Sequence, residues 1–375
     1  MKIATFNVQN LFHRDRSLIQ RTVGKCVSDW IMEFDTLLTK EKCSTNTERL
    51  KELSFLLDFD KTYQNPYVVM RKKAGELYLK GMNYSKELKS GELTDWNGWI
   101  KVRTVPIDPE STNHKAMVIS EINPDILVMQ EVEDKMSLDE FNNFILAKFS
   151  CEPFSEIILI PNSEGRGRNQ ALLLKNGYQL ETIKIHTIDE TETATQELLE
   201  YKISTPKGKC IHLLSAYFYE NKLDKEKAFE IRKNQAYQVS VIYKMLQMQA
   251  KANIVIAGTL NAPSYCNSLA PLLQETDLKD ISKNKTFNVD FDEGKDATYF
   301  RLGAYRMGVN IKQEDYLLLS HELFSNVKSS GLNRKGVWPE KRPNWRIYST
   351  IHNKNQAASG HPGVWGNLQF LDNTL

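Results

Sequence analysis

No CxxC pair occurs in this chain, and its five cysteines (Cys26, Cys43, Cys151, Cys210 and Cys266) are odd in number and far apart. That excludes a disulfide framework and a cysteine-based zinc site, and it fits a reducing compartment. No apolar run approaches the ~20 residues of a membrane span. Met1-Lys2 leads straight into Ile3-Ala4-Thr5-Phe6 with no secretory hydrophobic segment, so the expected location is cytoplasmic. An excess of one charge is also missing: 49 Lys and Arg stand against 47 Asp and Glu, for a formal net charge of +2. No global positive field therefore draws in nucleic acid or anionic membrane, and any polyanion recognition must be local. No repeat, low-complexity tract or Pro/Gly linker marks a boundary, which favours one elaborated domain over residues 1–375. What remains is a chain 41% hydrophobic and 26% charged, the composition of a globular protein with ample material for a large core.

Short apolar runs rich in β-branched residues stop abruptly at polar residues, the pattern of buried strands whose ends carry a site. They are Lys2 to Phe6, Asp125 to Met129, Cys210 to Leu214, Asn253 to Ala257, Tyr316 to Leu319 and Val364 to Phe370. Amphipathic stretches of helical length lie between them. In Asp224 to Lys251, Ala228, Ile231, Val239, Ile242 and Leu246 are spaced for one face. The highly charged region from His13 to about His114 differs, with helical runs at Ile19 to Leu38 and Thr47 to Leu57. It reads as a mainly helical segment inserted after the first strand, and as a surface for a protein partner.

Five segments place polar residues at or beside these runs. In order they are Phe6-Asn7-Val8-Gln9-Asn10-Leu11-Phe12, Asn123-Pro124-Asp125-Ile126-Leu127-Val128-Met129-Gln130-Glu131, Ala257-Gly258-Thr259-Leu260-Asn261, Asp315-Tyr316-Leu317-Leu318-Leu319-Ser320 and Ser359-Gly360-His361. Together they resemble the endonuclease/exonuclease/phosphatase superfamily over the first strand and residues from about 115 to 375. The resemblance implies an α/β (α+β) fold, a four-layered sandwich of two mainly antiparallel sheets flanked by helices, with the site at one edge where strand ends converge. It also implies metal-dependent hydrolysis of phosphate esters. That chemistry needs an anionic metal seat, a group activating water, a charge stabiliser at the phosphate and orienting hydrogen bonds. Glu131 matches the family's metal-binding glutamate, and Asn7 and Asn261 match its orienting amides. Asp315 and His361 match the pair in which a carboxylate fixes the histidine tautomer and supports its charged form.

The departures carry as much information. The family's GDxN reads Gly258-Thr259-Leu260-Asn261, and a threonine hydroxyl cannot act as a base near neutral pH. Its SDH reads Ser359-Gly360-His361, which removes a carboxylate beside metal and phosphate. In the strand where relatives hold a histidine, Leu214-Ser215-Ala216-Tyr217-Phe218-Tyr219 puts Ala216 at that position, with a one-residue offset left open. The RGxD segment reads Arg166-Gly167-Arg168-Asn169, another lost carboxylate. Glu131 is the one well-aligned carboxylate, with the amide of Gln9 nearby in its motif, so Mg²⁺ or Mn²⁺ is expected to be held weakly if at all.

A basic and aromatic stretch follows the Asp315 motif, with Arg334, Lys335, Trp338, Lys341, Arg342, Trp345, Arg346 and Tyr348. Cations and ring faces of this kind can hold phosphates and bases of a single strand; the alternative is a solvated loop with both tryptophans in the core. The leading expectation is a catalytically impaired member of the superfamily that binds a phosphate-bearing ligand, nucleic acid or nucleotide, or a protein partner. The alternative is a rewired, active metal-dependent phosphodiesterase or nuclease that recruits Glu133, Asp134 or Glu220. A third reading is a structural subunit acting through residues 13–114.

Overall fold

The structure is a computed structural model of the chain. It describes residues 1–15, 104–162, 167–190, 195–220, 224–250, 253–289, 313–339 and 345–369, with three strands and isolated helical positions between 33 and 102. The chain separates into two compact units, Met1–Leu11 with Asp108–Leu375, and Phe12–Ile107.

In the larger unit the chain runs β1 (Lys2–Asn7), α1 (Pro109–Ile122), β2 (Ile126–Val132), α2 (Lys135–Glu140), β3 (Glu156–Ile160), β4 (Asn169–Leu174), β5 (Gln179–Glu190), β6 (Thr195–Ser204) and β7 (Cys210–Tyr217). It continues with α3 (Lys225–Ala250), β8 (Asn253–Thr259), β9 (Lys279–Asp280), β10 (Phe287–Asn288), β11 (Asp315–Leu319), β12 (Val327–Asn333) and β13 (Gly363–Leu368). Among the described residues these strands form a seven-stranded sheet, β10-β12-β13-β1-β2-β4-β3, and a six-stranded sheet, β5-β6-β7-β8-β11-β9. Both sheets are mainly antiparallel; β1 with β2, β7 with β8 and β10 with β12 are the parallel pairs.

Two neighbouring interior strands of the six-stranded sheet, β8 and β11, show why their sequence is almost continuously apolar. Val255 and Ala257 on β8, with Leu317 and Leu319 on β11, enter the core shared with residues of the other sheet such as Ile3, Ile126, Val128 and Val364. Their neighbours Ile254, Ile256, Tyr316 and Leu318 turn the other way and pack with Ala236, Val239 and Tyr243 of α3. A strand covered on both faces has no polar side to show. On the seven-stranded sheet α1 comes close enough to β13 that a Cβ on Gly363 would lie 2.6 Å from Ile122 Cδ1.

The six expected strands and the long helix are all present. The insertion was expected to reach about His114, but α1 begins at Pro109. Asp108 accepts from the Glu110 amide and Pro109 starts the helix, so the cap sets the boundary there. In the smaller unit, positions 33, 37, 48, 49 and 52 are helical, inside the two expected helical runs. The remainder of those runs lies outside the described residues. This unit also contains antiparallel pairing of Tyr67–Arg71 with Leu77–Lys80 and with Ile100–Val102. Among the described residues no helix is long and apolar enough to cross a membrane.

Candidate functional site

At one end of the sandwich the inward-facing residues of five strands change from apolar to polar. On β1 the series is Ile3, Thr5, Asn7, and on β2 it is Ile126, Val128, Gln130. On β7 it is Ile211, Leu213, Ser215, Tyr217, on β8 Val255, Ala257, Thr259, and on β11, read backwards, Leu319, Leu317, Asp315. Glu131 joins them because β2 bulges: its pairing with β4 slips between Met129 and Val132, and Glu131 adopts φ +56°. A bulge re-aims one side chain. Here it brings the carboxylate within reach of Asn7 and Tyr217 beside the inward-facing Gln130. Gln9, Asn10 and Asn261, in two other motifs at strand ends, are also left-handed, with φ of +51°, +69° and +51°. Asn10 braces this arrangement by donating to the carbonyls of Glu131 and Gly167 at 3.2 and 2.6 Å.

The polar ends form one hydrogen-bonded chain. The Tyr217 hydroxyl donates to Glu131 Oε1 at 3.0 Å, and Asn7 Nδ2 donates to the same oxygen at 3.1 Å and to Thr259 Oγ1 at 3.3 Å. Thr259 Oγ1 donates to Asp315 Oδ1 at 2.7 Å, and His361 Nδ1 meets Asp315 Oδ2 at 2.8 Å. Asn7, Glu131, Thr259, Asp315 and His361 are thus brought together from five motifs. Gly360 closes the rim, its amide donating to Gln9 Oε1 at 2.8 Å. Ser359 Oγ donates to the Asn7 carbonyl at 2.7 Å. Asn261 sits two residues beyond Thr259, but its amide is spent on the Phe218 carbonyl at 2.7 Å.

Electrostatics single out His361. Burial, the largest influence, disfavours its charged ring, but the charge and hydrogen bond of Asp315, with Glu314 and Glu131 further off, prevail and raise its pKa to about 9. Tyr217 is held well above the usual phenol range by burial and by the Glu131 charge, so it remains a donor. Since the folded pKa of His361 exceeds an unfolded value of ~6.5, its stabilisation is complete below that value and lost as pH rises through about 9. The urea midpoint is expected to fall between pH 6.5 and 9.5 by the equivalent of about 3 kcal/mol. A His361→Gln variant should lack this decline; an identical decline in the variant would refute the assignment.

Thr259 is fully buried between Asn7 and Asp315. Thr259→Val keeps its shape and removes the hydroxyl that bridges them. Loss of a buried donor is expected to cost about 1–3 kcal/mol, read from the urea midpoint, with Thr259→Ser recovering most of it.

Several expected positions are placed differently. Ala216 does not line the site: it packs with Leu214, Tyr243 and Ile256 in the cluster that includes α3 residues. Strand alternation puts Tyr217, one residue on, at the position facing Glu131. Counting by twos from Ile211 and Leu213 is the signal that finds it. Arg334 has no exposed surface and lies 5.0 Å from the Trp345 ring, which removes it from an exposed basic strip. Lys335 is half-buried and held by Glu121 at 3.1 Å, while Lys341 and Arg342 lie outside the described residues. Of the acids considered as substitutes, Glu133 accepts from the Leu11 amide at 2.7 Å and Asp134 caps α2. Asn169 holds the Glu133 carbonyl at 2.9 Å.

The divalent cation implied by the resemblance finds a poor seat. Among the described residues no group of three or more His, Cys, Asp and Glu side chains is arranged to hold a metal. Glu131, the carboxylate expected to do so, has Oε1 occupied by two donors. These residues do not fit the ion.

No protein-family model matches the chain, and no curated protein matches it. Solved structures do. Truncated Caenorhabditis elegans TDP2 is 18% identical, with a TM-score of 0.47 over 68% of this chain and 89% of that one. The Bacteroides thetaiotaomicron mannosyl-6-phosphatase Bt3783 is 14% identical, with a TM-score of 0.48 over 70% and 92%. The catalytic domain of human Nocturnin with bound sulfate is 14% identical, with a TM-score of 0.46 over 69% and 85%. Each of these likenesses is at most 18% identical and has a TM-score below 0.5.

Proposed function

We propose that the pocket binds a phosphate-bearing ligand and hydrolyses it slowly or not at all. The observation that carries this reading is the division of labour around Asp315. One oxygen of that carboxylate holds His361 in its charged form, and the other accepts the hydroxyl of Thr259. His361 Nε2 has no hydrogen-bond partner among the described residues, and the side chain is 11% exposed. A cationic N–H is therefore available to an anion. The group beside it is a donating hydroxyl where hydrolysis needs a base. Glu133 and Asp134 are committed to backbone amides, which weighs against their recruitment as substitute bases.

Titration calorimetry of the full chain with inorganic phosphate, a nucleoside monophosphate and a short oligonucleotide tests the reading. At least one of the three is expected to bind, with His361→Gln weakening it at least tenfold, the size of one charge-assisted hydrogen bond. Absence of binding across the panel, or binding indifferent to His361→Gln, would remove this pocket as the site.

A further inference from the structure

The misfit between Glu131 and a divalent cation has its own structure. Both donors on Oε1 are buried and come from different strands, Asn7 from β1 and Tyr217 from β7. Two hydrogen bonds to one carboxylate oxygen bring partial positive charge to the atom a cation would otherwise contact. Each hydrogen lies where a metal bond to Oε1 would form. Mg²⁺ is ordinarily held by one or two carboxylates together with waters and phosphate oxygens, in near-ideal octahedral geometry. On Oε1 it would displace a tyrosine hydroxyl, of a residue 6% exposed, that is turned toward that same oxygen.

The rim points the same way. At position 360, the missing carboxylate leaves only backbone, and a Cβ there would meet Gln9 Oε1 at 3.3 Å and Nε2 at 3.5 Å. Gln9 Oε1 accepts the Gly360 amide, and its Nε2 has no hydrogen-bond partner among the described residues. The rim adjoining His361 thus presents neutral and cationic N–H groups in place of a second anion.

We propose that Tyr217 and Asn7 take the place of a divalent cation on Glu131, so that the pocket holds the phosphate group of its ligand directly, through N–H donors, without Mg²⁺ or Mn²⁺. This rests on the phosphate-binding reading above and specifies its chemistry. Because Glu131 then acts on the ligand only as a nearby negative charge, neutralising it favours the anion. Were Glu131 a metal seat through which phosphate is held, neutralising it would abolish binding.

The test uses the full chain and inorganic phosphate, titrated in EDTA and again in millimolar Mg²⁺, with Mn²⁺ binding followed separately by electron paramagnetic resonance. Equal affinity in the two buffers and a Mn²⁺ signal unchanged by the protein are expected. Glu131→Gln is expected to tighten phosphate binding roughly threefold to tenfold, the scale of a screened like-charge repulsion. Tyr217→Phe removes only the hydroxyl and is expected to create a change in the Mn²⁺ signal that the parent lacks. An unchanged signal in that variant would overturn the role given to Tyr217. Phosphate binding that requires Mg²⁺ or Mn²⁺, or its loss in Glu131→Gln with the fold intact by circular dichroism, would overturn the cation-free site and leave the phosphate reading standing. No inorganic phosphate binding in either buffer would overturn the direct hold on the phosphate group, and failure of the nucleotide and the oligonucleotide as well would overturn the phosphate reading itself.

Discussion

Substituting alanine for Gly258 is expected to leave little or no folded protein. Gly258 has φ +144°, a region that residues with a Cβ scarcely enter. A Cβ built there would lie 1.9 Å from the Ala216 carbonyl oxygen and 2.9 Å from its carbon, both backbone atoms. Relief would require β7 and β8 to separate where Ala216 and Gly258 are register partners. It would also drag Thr259 away from Asn7 and Asp315. Strain and clash together place the cost above about 4 kcal/mol, in the range of the severest single substitutions. Soluble yield and circular dichroism would read it. Gly208→Ala is the control: it also has φ +75°, but nothing lies within 4 Å of its Cβ, so it should cost only about 1 kcal/mol. A Gly258→Ala protein as stable as that control would mean that the β7–β8 register is wrong.

The second large effect concerns hydrolysis. The unmodified chain is expected to cleave phosphodiesters far more slowly than an ordinary enzymatic rate of ~1 s⁻¹ in Mg²⁺. Restoring one group should help little, because groups that act as a unit are strongly non-additive. The informative variant combines Tyr217→His, Thr259→Asp and Gly360→Asp. Strand alternation makes Tyr217, not Ala216, the position to change. Gly360→Asp is sterically admissible, since a Cβ there meets only the flexible end of Gln9. Thr259→Asp carries the risk, because it sets a second carboxylate against Asp315 in a buried site. The charged His361 and the loss of the Tyr217 cap, which reopens Glu131 to a cation, offset it. A gain of at least ~10²-fold over each single variant is expected, the usual contribution of an acid–base group. If instead the unmodified chain turns over at ~1 s⁻¹ and Glu131→Ala abolishes it, the substitutions are a rewiring and Glu131 is a working ligand.

Much of this architecture is legible in the sequence. β1, β2, β7, β8, β11 and β13 are apolar because both faces or a full inner face are covered, and a covered strand leaves a run that can be read by eye. The long helix α3 is readable for a different reason, the spacing of its apolar residues along one face. β5 and β6 are not: Gln179–Glu190 mixes Lys184, His186 and exposed Ile183 and Ile185, so neither period nor run announces a strand. Short motifs also locate the polar strand ends. They do not give the phase within a strand, which is why the one-residue offset between Ala216 and Tyr217 stays open in the sequence. Nor could they show that Arg334 lies under Trp345 rather than on the surface, since a guanidinium stacked on a ring and one in solvent share the same sequence. The bulge at Glu131 depends on pairing with β4, a partner some forty residues away, and that information is absent from the motif itself.

The first and last strands of the larger unit are neighbours in one sheet. β1 is paired on one side by β13 and on the other by β2, and the Met1 amine donates to the Leu368 carbonyl at 3.0 Å. Asn7 and Ser359, 352 positions apart, share a hydrogen bond within the site. On a ribosome adding ~5–20 residues per second, β1 therefore waits roughly 20–70 s for the strand that completes its sheet. Until then its inner edge is unpaired, and the nascent chain carries an open template for pairing with other strands. The polar cluster is likewise incomplete until then, since Ser359 and His361, which join Asn7 and Asp315, lie just ahead of β13.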